Sequence, residues 1–195
     1  MSAFLGPIHF WLYNKIRFQE DLIDALCARA VSEGWVTEED TQKFISTDRR
    51  ELQDAIDESN IHGWLQGRIH DGEGRYAALV TTLLDGNENR LQILKDVAFQ
   101  TGKAKRTEVP TNAPEAFHQL DNTLLNGMPC DQVMKVTESN PDKVVWEETQ
   151  DLHSSFWNGQ GAYYYDLRAE LIKGILADSG LTFKQTDTNR YEIIK

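Results

Sequence analysis

The sequence feature that most constrains the fold is an approximate internal repeat. Residues 8–26 and 61–79 align without gaps and are identical at eight of nineteen positions. The identical positions include a histidine and a tryptophan, and each of these residue types occurs only five times in the chain. Both segments place apolar residues at spacings of three and four, which predicts two helices that bury equivalent faces.

Helix boundary signals extend this repeat to four helices. Pro7 follows Gly6 at a favourable first helical position, Thr37 begins a capping box, and Asn60 can cap the second repeat helix. Each repeat helix is paired with a following helix, so the pattern predicts two hairpins that form a four-helix bundle by duplication. The predicted helices cover residues 7–34, 37–58, 61–84 and 91–100.

The composition changes after the predicted bundle. Residues 103–112 are charged and polar and contain Pro110, so they are predicted to link a helical bundle at 1–102 to a second unit at 113–195. This second unit is predicted to be α+β with a short antiparallel sheet, which makes the whole chain mostly α. Its predicted helices are 114–125, 131–138 and 162–177, and its predicted strands are 144–146, 181–186 and 191–194.

Charge and hydropathy restrict the partners of the chain. Its formal net charge of −11 opposes binding to nucleic acids and anionic membranes. No apolar run approaches the roughly 20 residues that a membrane-spanning helix needs. Two cysteines far apart in sequence do not suggest a disulfide framework. These features predict a cytoplasmic protein that binds neither nucleic acids nor membranes.

Each repeat helix carries a histidine and a glutamate on its apolar face. An eleven-residue spacing returns a helix to within about 20° of the starting direction, so His9 lies on one face with Glu20, and His62 with Glu73. A buried carboxylate requires a cation, a metal, a proton donor or a raised pKa. If the two helices run parallel, Glu20 lies level with Glu73, and His70 faces the same side. A divalent cation between the glutamates would relieve their repulsion.

Residues 7–101 resemble the ferritin-like and hemerythrin-like metal-binding bundles, in which facing helices hold iron or manganese. The resemblance implies a protein that binds iron or manganese and that has oxidoreductase or oxygen-handling activity. Helices two and four contain no Glu-x-x-His, so a mononuclear site is the alternative to a di-metal site. The implied metal ligands are Glu20, Glu73 and His70, with His9 and His62 as supporting residues or a second ligand pair.

A structural interpretation of the same residues requires no metal. If the repeat helices are antiparallel, His9 faces Glu73 and Glu20 faces His62, which gives two buried hydrogen-bonded pairs. Arginine side chains could instead neutralise the glutamates, and a histidine near a helix N-terminus can cap it. The function predicted by this interpretation is a non-catalytic module that binds a small ligand or a protein partner, including a second copy in a homodimer. The candidate arginines are Arg17, Arg68 and Arg75.

A glycine-containing aromatic segment, residues 156–165, is the second candidate site. Glycines permit close approach of a ligand, and the following helix start can bind negative charge. Packing between the last helix and the sheet is the structural alternative. The candidate pocket residues are Trp157, Tyr163, Tyr164 and the nearby His153.

Two other patterns favour structural roles. Cys130 stands at a predicted helix start, but no base is adjacent to it in sequence. Glu115, His118 and Asp121 have ligand spacing on one helical flank, yet acids are frequent enough in this chain to place carboxylates near any histidine by chance. An exposed helix surface is the simpler interpretation of that flank.

Overall fold

The computed structural model describes residues 4–195, which form seven α-helices and four β-strands. The helices are α1 (Pro7–Ser32), α2 (Glu38–Thr41), α3 (Leu52–Ala55), α4 (Ile61–Leu84), α5 (Leu91–Lys105), α6 (Ala113–Thr123) and α7 (Ala162–Leu176). The strands are β1 (Met134–Asn140), β2 (Lys143–Glu148), β3 (Thr182–Asp187) and β4 (Arg190–Ile194). The predicted class, mostly α with a short antiparallel sheet, is confirmed. None of the helices described is long and apolar enough to cross a membrane.

The two repeat helices, α1 and α4, run parallel and side by side. Tyr13, near the start of α1, lies 5.9 Å from Trp64, near the start of α4, measured between ring centroids. One helical turn or more further along both helices, Glu20 contacts Arg68 and Arg75. The antiparallel alternative, in which Glu20 faces His62, is therefore not the arrangement of this chain.

The prediction of one continuous helix over residues 37–58 is wrong. The Thr37 capping box forms, but only the single turns α2 and α3 are helical, and the residues between them are irregular. Side chains of α1 and α4 bind the carbonyls of this segment: Arg75 donates to the Phe44 carbonyl, and Tyr13 donates to the Arg50 carbonyl. These tertiary hydrogen bonds take the acceptors that a continuous helix would use. A two-hairpin duplication is therefore absent from the described chain, and only the first helix of each unit is repeated.

The prediction of a helix at 131–138 is also wrong, because most of these residues form a strand of the sheet. Pro129 starts a single 3-10 turn, which ends at Gln132 in the left-handed region with φ of 48°. The β-branched residues Val136 and Thr137 then lie in β1, which pairs antiparallel with β2. The sheet order is β1-β2-β4-β3, and Trp146 and Tyr191 are directly paired on its central strands.

Two apolar clusters make up the core, and a layer of polar side chains lies between them along α1 and α4. The smaller cluster joins the first halves of these helices and reaches Ile16 and Ile69. The larger cluster starts at Phe18 and Tyr76 and includes α5, α6, α7 and the sheet. Ionisable or amide side chains are buried at the boundary. They are Lys15, Gln19, Glu20, Glu73, His153 and Arg168.

Helices α5 and α7 cross at a contact that only glycine permits. A Cβ at Gly102 would overlap the Leu171 carbonyl oxygen, and a Cβ at Gly174 would overlap the Phe99 carbonyl oxygen. This crossing joins residues on both sides of the predicted linker, and α5 itself continues through Lys105. The division into units at 1–102 and 113–195 stays a prediction, and the large apolar cluster continues across it.

We expect Gly102→Ala and Gly174→Ala each to lower the free energy of unfolding by about 2 kcal/mol or more, because the added methyl group overlaps backbone atoms. Urea unfolding monitored by circular dichroism would measure the loss. Gly67→Ala on α4 is the matched control, since nothing lies within 4 Å of its added Cβ. That variant should gain about 0.5–1 kcal/mol. Equal effects of the three substitutions would contradict the crossing geometry.

Candidate functional site

Glu20 is buried at the centre of a cluster of arginines. Its side chain is 1 % exposed, and its carboxylate binds Arg68, with Arg75 at 3.3 Å and Arg49 at 3.8 Å. Arg49 also binds Asp21 and Asp24 on the outer side of α1. Of the partners considered from sequence, the arginines are therefore the ones that neutralise Glu20. The predicted role of Arg68 and Arg75 is confirmed.

The same cluster holds the irregular segment between α2 and α3 against the helices. Arg68 donates to the Ser46 hydroxyl at 3.1 Å, and Arg75 donates to the Phe44 carbonyl at 2.8 Å. Arg17 donates to the carbonyls of Arg49 and Arg50. Glu20 thus organises both a helix pair and a connecting segment, which is a structural role, although its buried Oε2 has no hydrogen-bond partner among the described protein atoms.

Glu73 has a different partner, His153, which comes from the segment before α7. His153 Nδ1 lies 3.2 Å from Glu73 Oε1, and both residues are almost fully buried. On the other side of the ring, Nε2 lies 3.3 Å from Asn126 Oδ1. The Tyr164 hydroxyl is 3.0 Å from the same nitrogen, but the two rings are stacked 18° from parallel, so this oxygen approaches from outside the imidazole plane. Asn126 is the better aligned partner.

The predicted metal ligands do not converge in the structure. His9 accepts a hydrogen bond from the Gly6 amide at 2.8 Å and caps α1, as one of the structural interpretations predicts. His62 is exposed, and His70 is exposed beside Gln66 and Phe156. Within residues 4–195, no group of three or more histidine, cysteine, aspartate or glutamate side chains is placed to hold a metal ion.

The aromatic residues predicted to line a pocket lie mostly inside the core. Trp157 is completely buried and packs edge-on against Tyr76 at 5.3 Å between centroids. Tyr164 is buried beside His153, and Tyr163 is half-buried against the large apolar cluster. Packing in the core therefore accounts for this segment, but the aromatic contacts are with Tyr76 of α4 and with His153, where the structural interpretation predicted packing of the last helix against the sheet.

An open cleft lies beside the polar layer, and we call it the Lys15 cleft. It has a volume of about 170 Å³ and lies between the start of α1, the end of α6 and the loop into β1. Lys15 forms part of its wall although only 3 % of that residue is exposed. The cleft is lined by Trp11, Lys15, Asp121, Asn126, Gly127, Met128, Pro129, Gln132, Val133 and Met134.

The Lys15 ammonium group is incompletely neutralised. Its Nζ lies 3.7 Å from Asp121 Oδ1, longer than a direct hydrogen bond, and 3.8 Å above the Trp11 ring. Burial lowers the pKa of Lys15 to about 8; Asp121 opposes this shift, and the charge of Arg168 adds to it. A buried lysine with a lowered pKa that lines a cleft is a candidate functional residue.

Asn126 connects the cleft to the buried Glu73–His153 pair. Its Oδ1 faces His153, while its buried Nδ2 has no hydrogen-bond partner among the described protein atoms. An unsatisfied buried amide costs about 1–3 kcal/mol, so a ligand oxygen or a water at this position would be favourable. Lys15 and Asn126 both line the cleft, so its lining residues include a buried ammonium group and a buried amide N–H without a partner among the described protein atoms.

Two larger grooves lack a buried ammonium group, although one of them is lined by Gln119, whose buried Oε1 has no hydrogen-bond partner among the described protein atoms. A groove of about 550 Å³ lies between α1 and α5, and another of about 750 Å³ follows residues 107–122. Their polar lining side chains are exposed or half-buried. Volume favours these grooves, but the buried ammonium and amide groups favour the Lys15 cleft, and chemistry is the better guide to a specific site.

Neither Lys15 nor Asn126 is predicted as a site residue from the sequence. One signal was available for Lys15, which lies three residues after Leu12 and four before Gln19 on the buried stripe of α1. Asp121 was noticed only for its spacing from His118, and its contact with Lys15 joins α6 to α1. Nothing local marks Asn126, because its partners are distant in sequence.

Comparisons with protein-family models, with curated proteins and with solved structures give no match for this chain. The site is therefore interpreted from its own geometry.

We expect Glu20→Gln to lower the free energy of unfolding by about 3 kcal/mol or more, because three arginines lose their buried anion. Chemical denaturation would measure this loss. Asp71→Asn is the matched control: it also removes a carboxylate partner of Arg75, but one that is 55 % exposed. Its effect should stay below about 1 kcal/mol. Similar losses in both variants would show that the buried ion pairs of Glu20 contribute no more to the free energy of unfolding than an exposed ion pair does.

The Lys15 pKa makes stability depend on pH in a defined direction. The folded-state pKa is about 8 and the ordinary value is 10.5, so between these values the unfolded chain binds more protons. Stability should therefore rise with pH in this window, by at most about 1.4 kcal/mol per pH unit. The rise should disappear in Lys15→Met and persist in Lys173→Met, which removes an exposed lysine. Urea unfolding between about pH 7.5 and 9.5 would measure it, before ionising tyrosines dominate.

Proposed function

We propose that this protein binds a small carbonyl compound in the Lys15 cleft. The observation that carries the proposal is the presence of two donor groups among the residues that line one cleft, the buried Lys15 ammonium and the Asn126 amide, which has no partner among the described protein atoms. Both are suited to a carbonyl oxygen. Of the functions predicted from the sequence, non-catalytic binding of a small ligand is the one that agrees with this proposal. The sequence predicts that site at the aromatic segment near α7, and the proposal places it in the Lys15 cleft.

The size and lining of the cleft limit the class of ligand. Its volume of about 170 Å³ corresponds to roughly five or six waters at ~30 Å³ each, which suits a short-chain organic compound. Trp11, Met128 and Val133 supply apolar contacts. The Asp121 carboxylate beside Lys15 would repel an anion, so a neutral ligand suits the cleft better than an organic acid.

Other predictions made from the sequence remain open. Iron or manganese binding through Glu20, Glu73 and His70 stays a prediction, and in this structure Glu20 instead contacts arginines while Glu73 contacts His153. A cytoplasmic location, the absence of nucleic-acid partners and a homodimer also stay predictions.

Titration of ¹⁵N-labelled protein with butanamide tests the proposal, because an amide carbonyl can hydrogen-bond but does not react with amines. The Trp11 indole N–H, which donates to Asn122 at 2.8 Å, is a reporter at the cleft, and a Trp11→Phe spectrum would assign it. We expect this signal to shift with a dissociation constant in the millimolar range. The shift should be lost in Lys15→Met and kept in Lys173→Met.

Two results would overturn the proposal. One is a butanamide response confined to residues of the α1–α5 groove or the groove along 107–122. The other is an equal response of native protein and Lys15→Met at the Trp11 indole, since the Lys15 ammonium would then contribute nothing to binding.

A further inference from the structure

Lys15 combines three properties that do not occur together in an ordinary surface lysine such as Lys173. Its Nζ is withdrawn from bulk water, it borders an open cleft, and a carboxylate lies 3.7 Å away. By contrast, Lys173 on α7 has a side chain that is 49 % exposed and forms an ordinary ion pair with Glu170. A withdrawn amine beside a ligand cleft is the arrangement that nucleophilic amine chemistry requires.

We infer that Lys15 forms a covalent imine with small neutral aldehydes that enter the Lys15 cleft. The inference rests on the proposed function and adds a reactive substrate class to it. The apolar contacts from Trp11, Met128 and Val133 would hold the alkyl part of the aldehyde. The Asn126 amide would donate to the carbonyl oxygen, which polarises the carbon that the amine attacks.

The reaction balances without any oxidant or reductant. The Lys15 lone pair attacks the carbonyl carbon, a C–N bond forms, and the carbonyl π electrons move to oxygen. The C–O bond then breaks as the nitrogen lone pair forms the C=N bond. Both amine hydrogens are transferred to the oxygen, which leaves as one water molecule. Asp121 is the one carboxylate among the described residues that line the cleft, and at 3.7 Å from the nitrogen it can carry a proton between these atoms.

The protonation state of Lys15 supports this chemistry. With its pKa lowered to about 8 by burial, about one Lys15 amine in four is unprotonated near pH 7.5. For a lysine of ordinary pKa the fraction is about one in a thousand. Attack by the free amine is therefore expected to be much faster at Lys15 than at exposed lysines such as Lys173.

Reductive trapping with butanal and sodium cyanoborohydride tests the inference on the full-length native protein. The hydride converts an imine into a stable butyl amine, which peptide mass spectrometry locates. At about pH 7.5 we expect labelling of Lys15 to exceed that of Lys173 by at least ~10-fold. In Lys15→Met the dominant label should disappear, while slow labelling of surface lysines should continue.

A second variant tests the inference even if Lys15→Met fails to fold. Asp121→Asn retains the amine but removes the charge that raises the pKa of Lys15. The pH at half-maximal labelling should lie near 8 in native protein and lower in Asp121→Asn. The Trp11 indole signal would report whether the cleft is intact. A native profile that rises only near pH 10, as for an exposed lysine, would overturn the inference.

The outcomes separate this inference from the proposed function. Butanamide binding together with preferential butyl labelling of Lys15 supports both. Butanamide binding with labelling spread over exposed lysines overturns the imine and leaves the ligand site standing. Absence of both responses overturns the site and the chemistry together.

Discussion

The burial of two equivalent glutamates is the constraint on which most of this structure depends. Glu20 and Glu73 occupy the same position in the repeat, on parallel helices, and each is 1 % exposed. A carboxylate in such a place must be neutralised, or the folded state loses several kcal/mol. Arginines from α4 and from the segment before α3 lie against Glu20, and a histidine from the segment before α7 lies 3.2 Å from Glu73.

Meeting this requirement shapes the connections between helices. Arg75, which contacts Glu20, and Arg17 of α1 also bind backbone carbonyls between α2 and α3, so that segment is held irregular against the helices. His153 draws the segment before α7 into the interior, and its second nitrogen positions Asn126. The polar layer therefore joins the repeat helices to the C-terminal half, in addition to the apolar contact of α5 with α7 through Gly102 and Gly174.

The Lys15 cleft lies at the edge of this polar layer, which explains its chemistry. A lysine placed one turn before Glu20 on the buried stripe of α1 cannot reach bulk water freely, and Asp121 approaches it without a direct hydrogen bond. Asn126 carries the connection from Glu73 and His153 to the cleft wall. Residues that stabilise the core thus also fix the orientation of the proposed binding groups, as functional sites require.

Local patterns in the sequence determined the long helices, the C-terminal hairpin and the burial of Glu20 and Glu73. Apolar periodicity and capping residues act within a few positions, and the structure confirms α1 and α4 closely. Only the tertiary structure decided the partners of the glutamates, the irregular segment between α2 and α3 and the assignment of β1 to the sheet. The contacts of Glu73 with His153 and of Lys15 with Asp121 span many residues, and no local signal specifies them. Such contacts are fixed by how the helices pack, because a buried charge takes whichever partner the fold brings within reach.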